Sequence, residues 1–219
     1  MALVPPAHFD ADACEVARSL VGMVLRRRHQ GVWLAAAIVE AEAYYLEEKG
    51  SHASLGRTPS REALFMPPGT LYLYYARGGD SLNISVRGEG NAVLVKSGRP
   101  YVDRRSPAAN LVYMHQLNPG SQGRRPEHRL CAGQTLLCRA LNLKVPDWDR
   151  RLFDPRTFYL EDVGDRPELI RARRLGIPVG RDEHLLYRFV DARHLRSATQ
   201  TPLGRGAIEG RDYQRLAPR

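Results

Sequence analysis

Two short alternating runs on either side of a glycine pair constrain the fold more than any other feature of the chain. Residues 70–75 and 82–86 alternate in polarity, and Gly78-Gly79 lies between them. This pattern is typical of a β-hairpin. Strand alternation places the polar faces of the two strands together, so the hairpin should gather Tyr72, Tyr74 and Asn83. Cross-strand packing alone is the alternative explanation of these side chains.

Residues 38–44, with the sequence IVEAEAY, alternate with period two and predict a further strand. Glu40, Glu42 and Tyr44 would share one of its faces. Two carboxylates about 7 Å apart at their Cα atoms can hold different proton affinities. That arrangement suits a general base, whereas two solvated glutamates at a strand end would explain the motif equally well by itself.

The loop at residues 46–66 is long for a compact domain, and loops of this length are usually functional or mobile. It contains His52, and its residues Arg57 and Thr58 are candidate phosphate contacts, with a solvated loop as the alternative. Basic residues also precede a predicted helix at 136–141. Free N–H groups at a helix start bind anions, so Gly133 and Thr135 are further candidates for contact with a phosphate backbone.

The overall composition favours one intracellular domain with a polyanionic partner. The chain has 219 residues without a linker or repeat, which predicts a single domain over 1–219. A net charge of +9 and no basic amphipathic helix favour nucleic acid over a membrane surface. Three widely spaced cysteines indicate neither a disulfide framework nor a metal site. Without a targeting or membrane-spanning segment, we expect a cytoplasmic protein, associated with the nucleoid if bacterial.

The remaining pattern predicts scaffold elements. A helix capped by Asp10 or Asp12 should end near Leu20. A second helix is predicted at 106–116, and the tail from Arg196 is expected to be disordered or to make a basic contact. Further strands are predicted at 23–27, 32–44, 92–96, 158–161, 169–173 and 185–190.

Several strings together resemble the alkyladenine (3-methyladenine) DNA glycosylase family. They are VEAEAY at 39–44, His52, RTP at 57–59, FMPPGTLY at 65–72, LNIS at 82–85, CAG at 131–133 and LYRFV at 186–190. The resemblance covers most of the chain. It implies an α+β fold, a single domain in which a mixed, mostly antiparallel, curved β-sheet is surrounded by helices and carries a protruding β-hairpin. It also implies a monofunctional enzyme of base excision repair that needs no cofactor, acting as a monomer on double-stranded DNA containing damaged purines.

The same resemblance assigns roles to the motif residues. Glu42 would activate the water that cleaves the N-glycosidic bond of a flipped nucleotide. Tyr44 would stack on one face of the base with His52 and Tyr74 on the other, Tyr72 would line the pocket, and Asn83 would crowd the guanine amine. Lys96 stands where the family usually has an arginine near the site and the DNA backbone. Gly133 and Thr135 belong to the element that meets that backbone, although leucine replaces the family's lysine there.

The hairpin tip departs from the family pattern. Many members place a tyrosine there that fills the gap left by the flipped nucleotide, but this connection is one residue shorter. Alignment puts Ala76 or Arg77 at that position, and alternation directs Tyr75 toward the core together with Leu73. We therefore predict Arg77 as the wedge, with Tyr75 as a substitute and a solvated turn arginine as the alternative.

Three other functions are compatible with parts of the pattern. Lys96 could form a Schiff base in a lyase. Glu40 and Glu42 could serve a carbohydrate hydrolase, although they lie on one strand and the charge argues against a neutral substrate. A non-catalytic nucleic-acid-binding module would explain the charge and the aromatics but gives no reason for Glu42. Glu40 itself has no catalytic assignment and is expected to be a supporting carboxylate.

Overall fold

The thirteen-residue strand β3 (Val32–Tyr44) is the element to which most of the sheet attaches. The computed structural model describes residues 2–76 and 78–219. The other strands in this part of the chain are β1 (Ala2–Leu3), β2 (Val24–His29), β4 (Leu71–Ala76), β5 (Gly79–Ser85), β6 (Ala92–Pro100), β7 (Phe158–Asp162), β8 (Leu169–Ala172), β9 (Arg188–Asp191) and β10 (Tyr213–Leu216).

The ten strands form one sheet in which every pairing between named strands is antiparallel. The main order is β1-β7-β2-β3-β6-β5-β4, and a branch of β9, β8 and β10 attaches to β3. One edge of β3 pairs with β2 at residues 32–37 and with β9 at residues 40–42. The branch therefore begins where one partner strand replaces another along β3.

Short helices cover the sheet. They are α1 (Ala13–Leu20), α2 (Leu111–Leu117), α3 (Glu127–Leu130), α4 (Gln134–Ala140) and α5 (Val145–Trp148), with 3-10 helices of three to seven residues between several elements. The side chain of Asp12 accepts hydrogen bonds from the N–H groups of Cys14 and Glu15, at 2.9 and 3.2 Å, and so fixes the start of α1. No helix among the described residues is both long and apolar enough to cross a membrane.

The main core lies between the sheet and helices α1, α2 and α4. It includes Leu20 of α1, Ile38 of β3 and Leu137 of α4, each almost completely buried. A hairpin of β4 and β5 forms the last two strands beyond β6, with Tyr72 opposite Asn83 and Tyr74 opposite Ser81. This register brings the predicted aromatic and amide side chains to adjacent strands of one hairpin.

These observations confirm the predicted α+β class and the mostly antiparallel sheet, and they correct several details. The predicted helix at 106–116 is a 3-10 turn followed by α2, which begins only at Leu111. The tail from Arg196 is not simply disordered, because Tyr213–Leu216 adds a strand to β8. The predicted strand at 185–190 begins later, at Arg188.

Candidate active site

A β-bulge in β3 places two glutamates at the branch of the sheet. The register between β3 and β6 shifts on both sides of Glu40. The side chains of β3 therefore do not alternate strictly between the two faces of the sheet. Val39 packs in a small cluster with Ile170 and Val190, whereas Ala41 and Ala43 face the main core. Bulges of this kind often redirect side chains next to active sites.

The carboxylate of Glu42 is completely buried and accepts hydrogen bonds on both oxygens. The Tyr44 hydroxyl donates to Oε2 at 2.8 Å, and the Lys96 ammonium lies 3.3 Å from the same oxygen. The backbone N–H of Leu175 donates to Oε1 at 3.1 Å. All three donors belong to residues that line one cavity of about 460 Å³. Glu42 thus lies directly behind the cavity wall.

One end of this cavity is aromatic. The rings of Tyr72 and Tyr74 stack with centroids 5.4 Å apart, and His52 meets Tyr74 edge-on at 4.4 Å. His52 Nδ1 and the Tyr72 hydroxyl are 3.2 Å apart. Partial burial and the nearby charge of Arg61 lower the pKa of His52, which favours a neutral ring at neutral pH. Asn83 also lines the cavity and donates to the carbonyl oxygen of Tyr72 at 3.2 Å.

The other end of the cavity is polar. It is lined by Lys96 of β6, by the start of α4 including Gly133 and Thr135, and by Thr199. Gly133 has a φ of 112°, a left-handed conformation that favours glycine. Its N–H donates to Ser97 Oγ at 3.2 Å, so the turn before α4 is attached to β6.

The second glutamate faces elsewhere. Glu40 is completely buried, but its Oε1 accepts from Arg188 Nε at 2.6 Å and its Oε2 from the Thr199 N–H at 2.7 Å. Like Glu42, it is not itself part of the cavity wall, but of its two partners only Thr199 lines the cavity. The two carboxylates therefore have separate partners, and the arrangement is not a pair that flanks one bond.

Comparison with known proteins identifies the family of the chain. The family model for methylpurine-DNA glycosylase matches residues 7–195. The chain belongs to the methylpurine-DNA glycosylase family. It is 60% identical over 215 residues to a protein of Pseudomonas aeruginosa (strain UCBPP-PA14) named "Putative 3-methyladenine DNA glycosylase", covering 97% of this chain and 90% of that relative. It is 35% identical over 181 residues to the human DNA-3-methyladenine glycosylase, covering 77% of this chain and 58% of the human protein.

In this member of the family, the predicted phosphate contacts Arg57 and Thr58 lie outside the cavity. Arg57 is exposed and forms an ion pair with Glu62, and the Thr58 hydroxyl lies 3.1 Å from that of Ser60. At the hairpin tip, Tyr75 is 71% exposed, so its predicted orientation toward the core is wrong. The hairpin extends past the core there, and strand alternation alone does not report how far the core reaches. The predicted wedge Arg77 lies outside the described residues.

Sequence reasoning missed the contributions of the loop after β8 and of the tail. Arg174 is buried, donates to the Ala43 carbonyl oxygen at 2.9 Å and lies 4.5 Å from the Tyr44 ring centroid. It holds the loop from which Leu175 reaches Glu42. The available sequence signal for this loop was the string LGIP at 175–178, which indicates a loop after the end of a strand. Among the described residues, no group of three or more His, Cys, Asp or Glu side chains is arranged to hold a metal ion.

Proposed function

We propose that this protein is a monofunctional DNA glycosylase that removes alkylated or deaminated purines, of the 3-methyladenine, 7-methylguanine and hypoxanthine type, from duplex DNA. It would act as a monomer in the cytoplasm and leave an abasic site for base excision repair. The observation that carries the proposal is the buried Glu42 carboxylate behind a cavity with an aromatic end. Reaching a base inside a duplex requires that the nucleotide be rotated out, and a cavity of about 460 Å³ is large enough to receive one.

Glu42 is proposed as the general base for hydrolysis. Its anion would take a proton from water and stabilise the positive charge that develops on the sugar in an oxocarbenium-like transition state. The contact with the Lys96 ammonium is the longest of its three, at 3.3 Å, and the lysine side chain is flexible. A small displacement of that ammonium would open Oε2 to the attacking water, because Tyr44 is the other side chain of the described chain that bonds this oxygen.

The aromatic end of the cavity is proposed to hold the flipped base. Tyr44 would contact one face, with His52 and Tyr74 on the other and Tyr72 on the side. Electron-rich rings attract a cationic alkylated purine, and a neutral His52 adds no repulsion. Asn83 at the edge would disfavour guanine by crowding its exocyclic amine. These roles give each lining side chain a reason for its position.

The duplex is proposed to contact the basic surface around the cavity. Arg57 and Thr58 on one side, and Lys96, Gly133 and Thr135 on the other, would meet the backbone, in keeping with the net charge of +9. The hairpin tip would fill the gap in the duplex. Arg77 and Ala76 are candidates for this wedge, and the exposure of Tyr75 now makes it an equal candidate.

The competing functions have less support. A carbohydrate hydrolase needs two carboxylates on opposite sides of one bond, whereas Glu40 is occupied by Arg188 and Thr199. A lyase needs a free amine, whereas the Lys96 ammonium forms an ion pair with Glu42. A binding module without catalysis leaves the Glu42 arrangement without a purpose.

One experiment separates these functions. A defined duplex containing hypoxanthine or 3-methyladenine is incubated with the protein, with and without a chelator, and the released base is measured. We expect release of the free base at equal rates in both conditions, and intact DNA strands until alkaline treatment. Binding without base release would support the binding module and would contradict the proposed function.

A further inference from the structure

The tail segment 196–200 is held firmly against the polar end of the cavity. Arg129 Nη1 donates to the carbonyl oxygen of Ala198 at 3.3 Å, and the buried Ser97 hydroxyl donates to that of Ser197. The Thr199 N–H donates to Glu40, and the Glu40 partner Arg188 also donates to the carbonyl oxygen of Gln200. A buried ion pair and a buried hydroxyl thus fix the backbone on both sides of Thr199.

The hydroxyl of Thr199 has no partner within the described chain. Its Oγ1 is shielded from solvent and makes no hydrogen bond, although Thr199 is part of the cavity wall. Leaving a covered hydroxyl unpaired is costly, so this group gains from any acceptor that enters the cavity. A Cβ atom added to Gly133 would lie 4.0 Å from Oγ1, and the left-handed φ of Gly133 keeps that side free of a side chain. Rotation about the Cα–Cβ bond lets Oγ1 follow an incoming acceptor.

The two ends of the cavity differ in chemistry in the same way as the two ends of a nucleotide. The rings of His52, Tyr72 and Tyr74 form one end, where a base can stack. Lys96, Gly133 and Thr199 line the other, where an incoming anion would meet a hydroxyl donor and an ammonium that it would share with Glu42. Glu42 is bonded to Tyr44 and to Lys96, so in the proposed complex its carboxylate would lie near the sugar of a bound nucleotide.

We propose that Thr199 is a binding residue whose hydroxyl donates a hydrogen bond to a phosphate that adjoins the flipped nucleotide. Arg188 and Glu40 are its positioning residues, which gives a purpose to the second buried glutamate. The inference rests on the proposed DNA glycosylase function. A phosphate fits better than a base edge, because Thr199 lies beside Gly133, whereas the rings of His52, Tyr72 and Tyr74 pack on one another.

The test is a coupling experiment between a protein change and a DNA change. The probe is a duplex with a central tetrahydrofuran abasic analogue, made with normal phosphates or with one neutral methylphosphonate on the 5′ or 3′ side of the analogue. Thr199→Val removes the hydroxyl and keeps the shape, and Thr199→Ser restores a hydroxyl. Thr201→Val, one residue beyond this segment and outside the catalytic cavity, is the matched control. Thermal unfolding of each variant is measured, and Thr199→Ala replaces the valine variant if that variant does not fold.

Thr199→Val loses a hydrogen bond to a charged phosphate, so we expect this variant to bind the probe about tenfold more weakly than the wild type does. Thr199→Ser and Thr201→Val should bind like the wild type. At one of the two positions, the methylphosphonate should weaken probe binding by the wild type more than it weakens probe binding by Thr199→Val. The inference would be overturned if Thr199→Val bound the probe as tightly as the wild type. It would also be overturned if, at both methylphosphonate positions, the protein change and the DNA change weakened binding by independent factors that simply multiply. Because this probe is not cleaved, a failure here is distinct from a failure of the wild type to release hypoxanthine, which would refute the glycosylase function itself.

Discussion

Replacement of Glu42 by glutamine tests the proposed general base most directly. In Glu42→Gln, the amide oxygen can keep the hydrogen bond from the Leu175 N–H, and the Tyr44 hydroxyl can turn to accept from the amide nitrogen. The contact with Lys96 is different, because the amide nitrogen would face an ammonium and both groups are donors. The variant therefore keeps most of the shape of the site but loses the base and the only carboxylate partner of Lys96 among the described residues.

Two magnitudes follow from these contacts. General-base catalysis typically contributes about 10²- to 10⁴-fold, so the single-turnover rate of hypoxanthine release should fall by that factor. An almost fully covered Lys96 without its partner is expected to destabilise the fold, by up to about 3–5 kcal/mol. Glu42→Gln combined with Lys96→Met removes both charges. We expect the double variant to regain much of the lost stability and none of the lost excision.

The assay follows base release from a hypoxanthine duplex, by alkaline cleavage at abasic sites with enzyme in excess. Thermal unfolding is measured on the same samples, and binding is measured on uncleaved lesion duplex, where Glu42→Gln should retain affinity. Glu40→Gln is the matched control, because it changes an equally buried glutamate whose carboxylate shares no hydrogen-bond partner with that of Glu42. Glu40→Gln should lower the stability of the fold, but it should reduce the rate of excision much less than Glu42→Gln does. A Glu42→Gln rate within a few-fold of the wild type, or recovery of excision in the double variant, would refute the role of general base.

The other predictions concern the nucleophile, the DNA surface and the hairpin. Borohydride should trap no covalent protein–DNA adduct, since water is the proposed nucleophile. An adduct that the wild type forms and Lys96→Ala does not would show instead that Lys96 is the nucleophile. Duplex binding, followed by fluorescence anisotropy, should weaken by on the order of 10²-fold or more between about 50 and 200 mM salt, and salt-independent binding would argue against a phosphate-contacting surface. Tyr75→Ala and Arg77→Ala should each be compared on duplex and single-stranded substrates. The wedge residue is the one whose loss lowers excision mainly from duplex, whereas equal losses on both substrates would indicate only a phosphate contact.

Elements defined by local periodicity were predictable. The hairpin follows from two alternating runs and a glycine pair, and α1 follows from the cap at Asp12. The aromatic end of the cavity was predictable for the same reason, because Tyr72, Tyr74 and Asn83 are close on one hairpin. Their roles in catalysis stay predictions, since geometry alone does not measure them.

Contacts between distant segments were not predictable from the pattern. Glu42 is bonded by a backbone N–H 133 residues later, and a backbone N–H carries no side-chain signature. The bulge at Glu40 interrupts the alternation that the sequence suggests, because the partner strands change at this point. Strand β10 arises from pairing with β8, so a tail rich in turn residues gave little local indication of it.

The hairpin turn and the cavity wall are in direct contact. A Cβ atom on Gly79 would lie 2.8 Å from Cβ of Thr135, and Arg139 Nη2 donates to the Gly78 carbonyl oxygen at 2.9 Å. In the proposed complex with DNA, a displacement of the hairpin tip would therefore be transmitted to the start of α4 through the side chains of Thr135 and Arg139. We expect Gly79→Ala to push the hairpin turn away from the start of α4, because the added methyl group would overlap the Thr135 side chain. Under the proposed function, the spacing between the hairpin turn and the nucleotide pocket would depend on the absence of a side chain at Gly79.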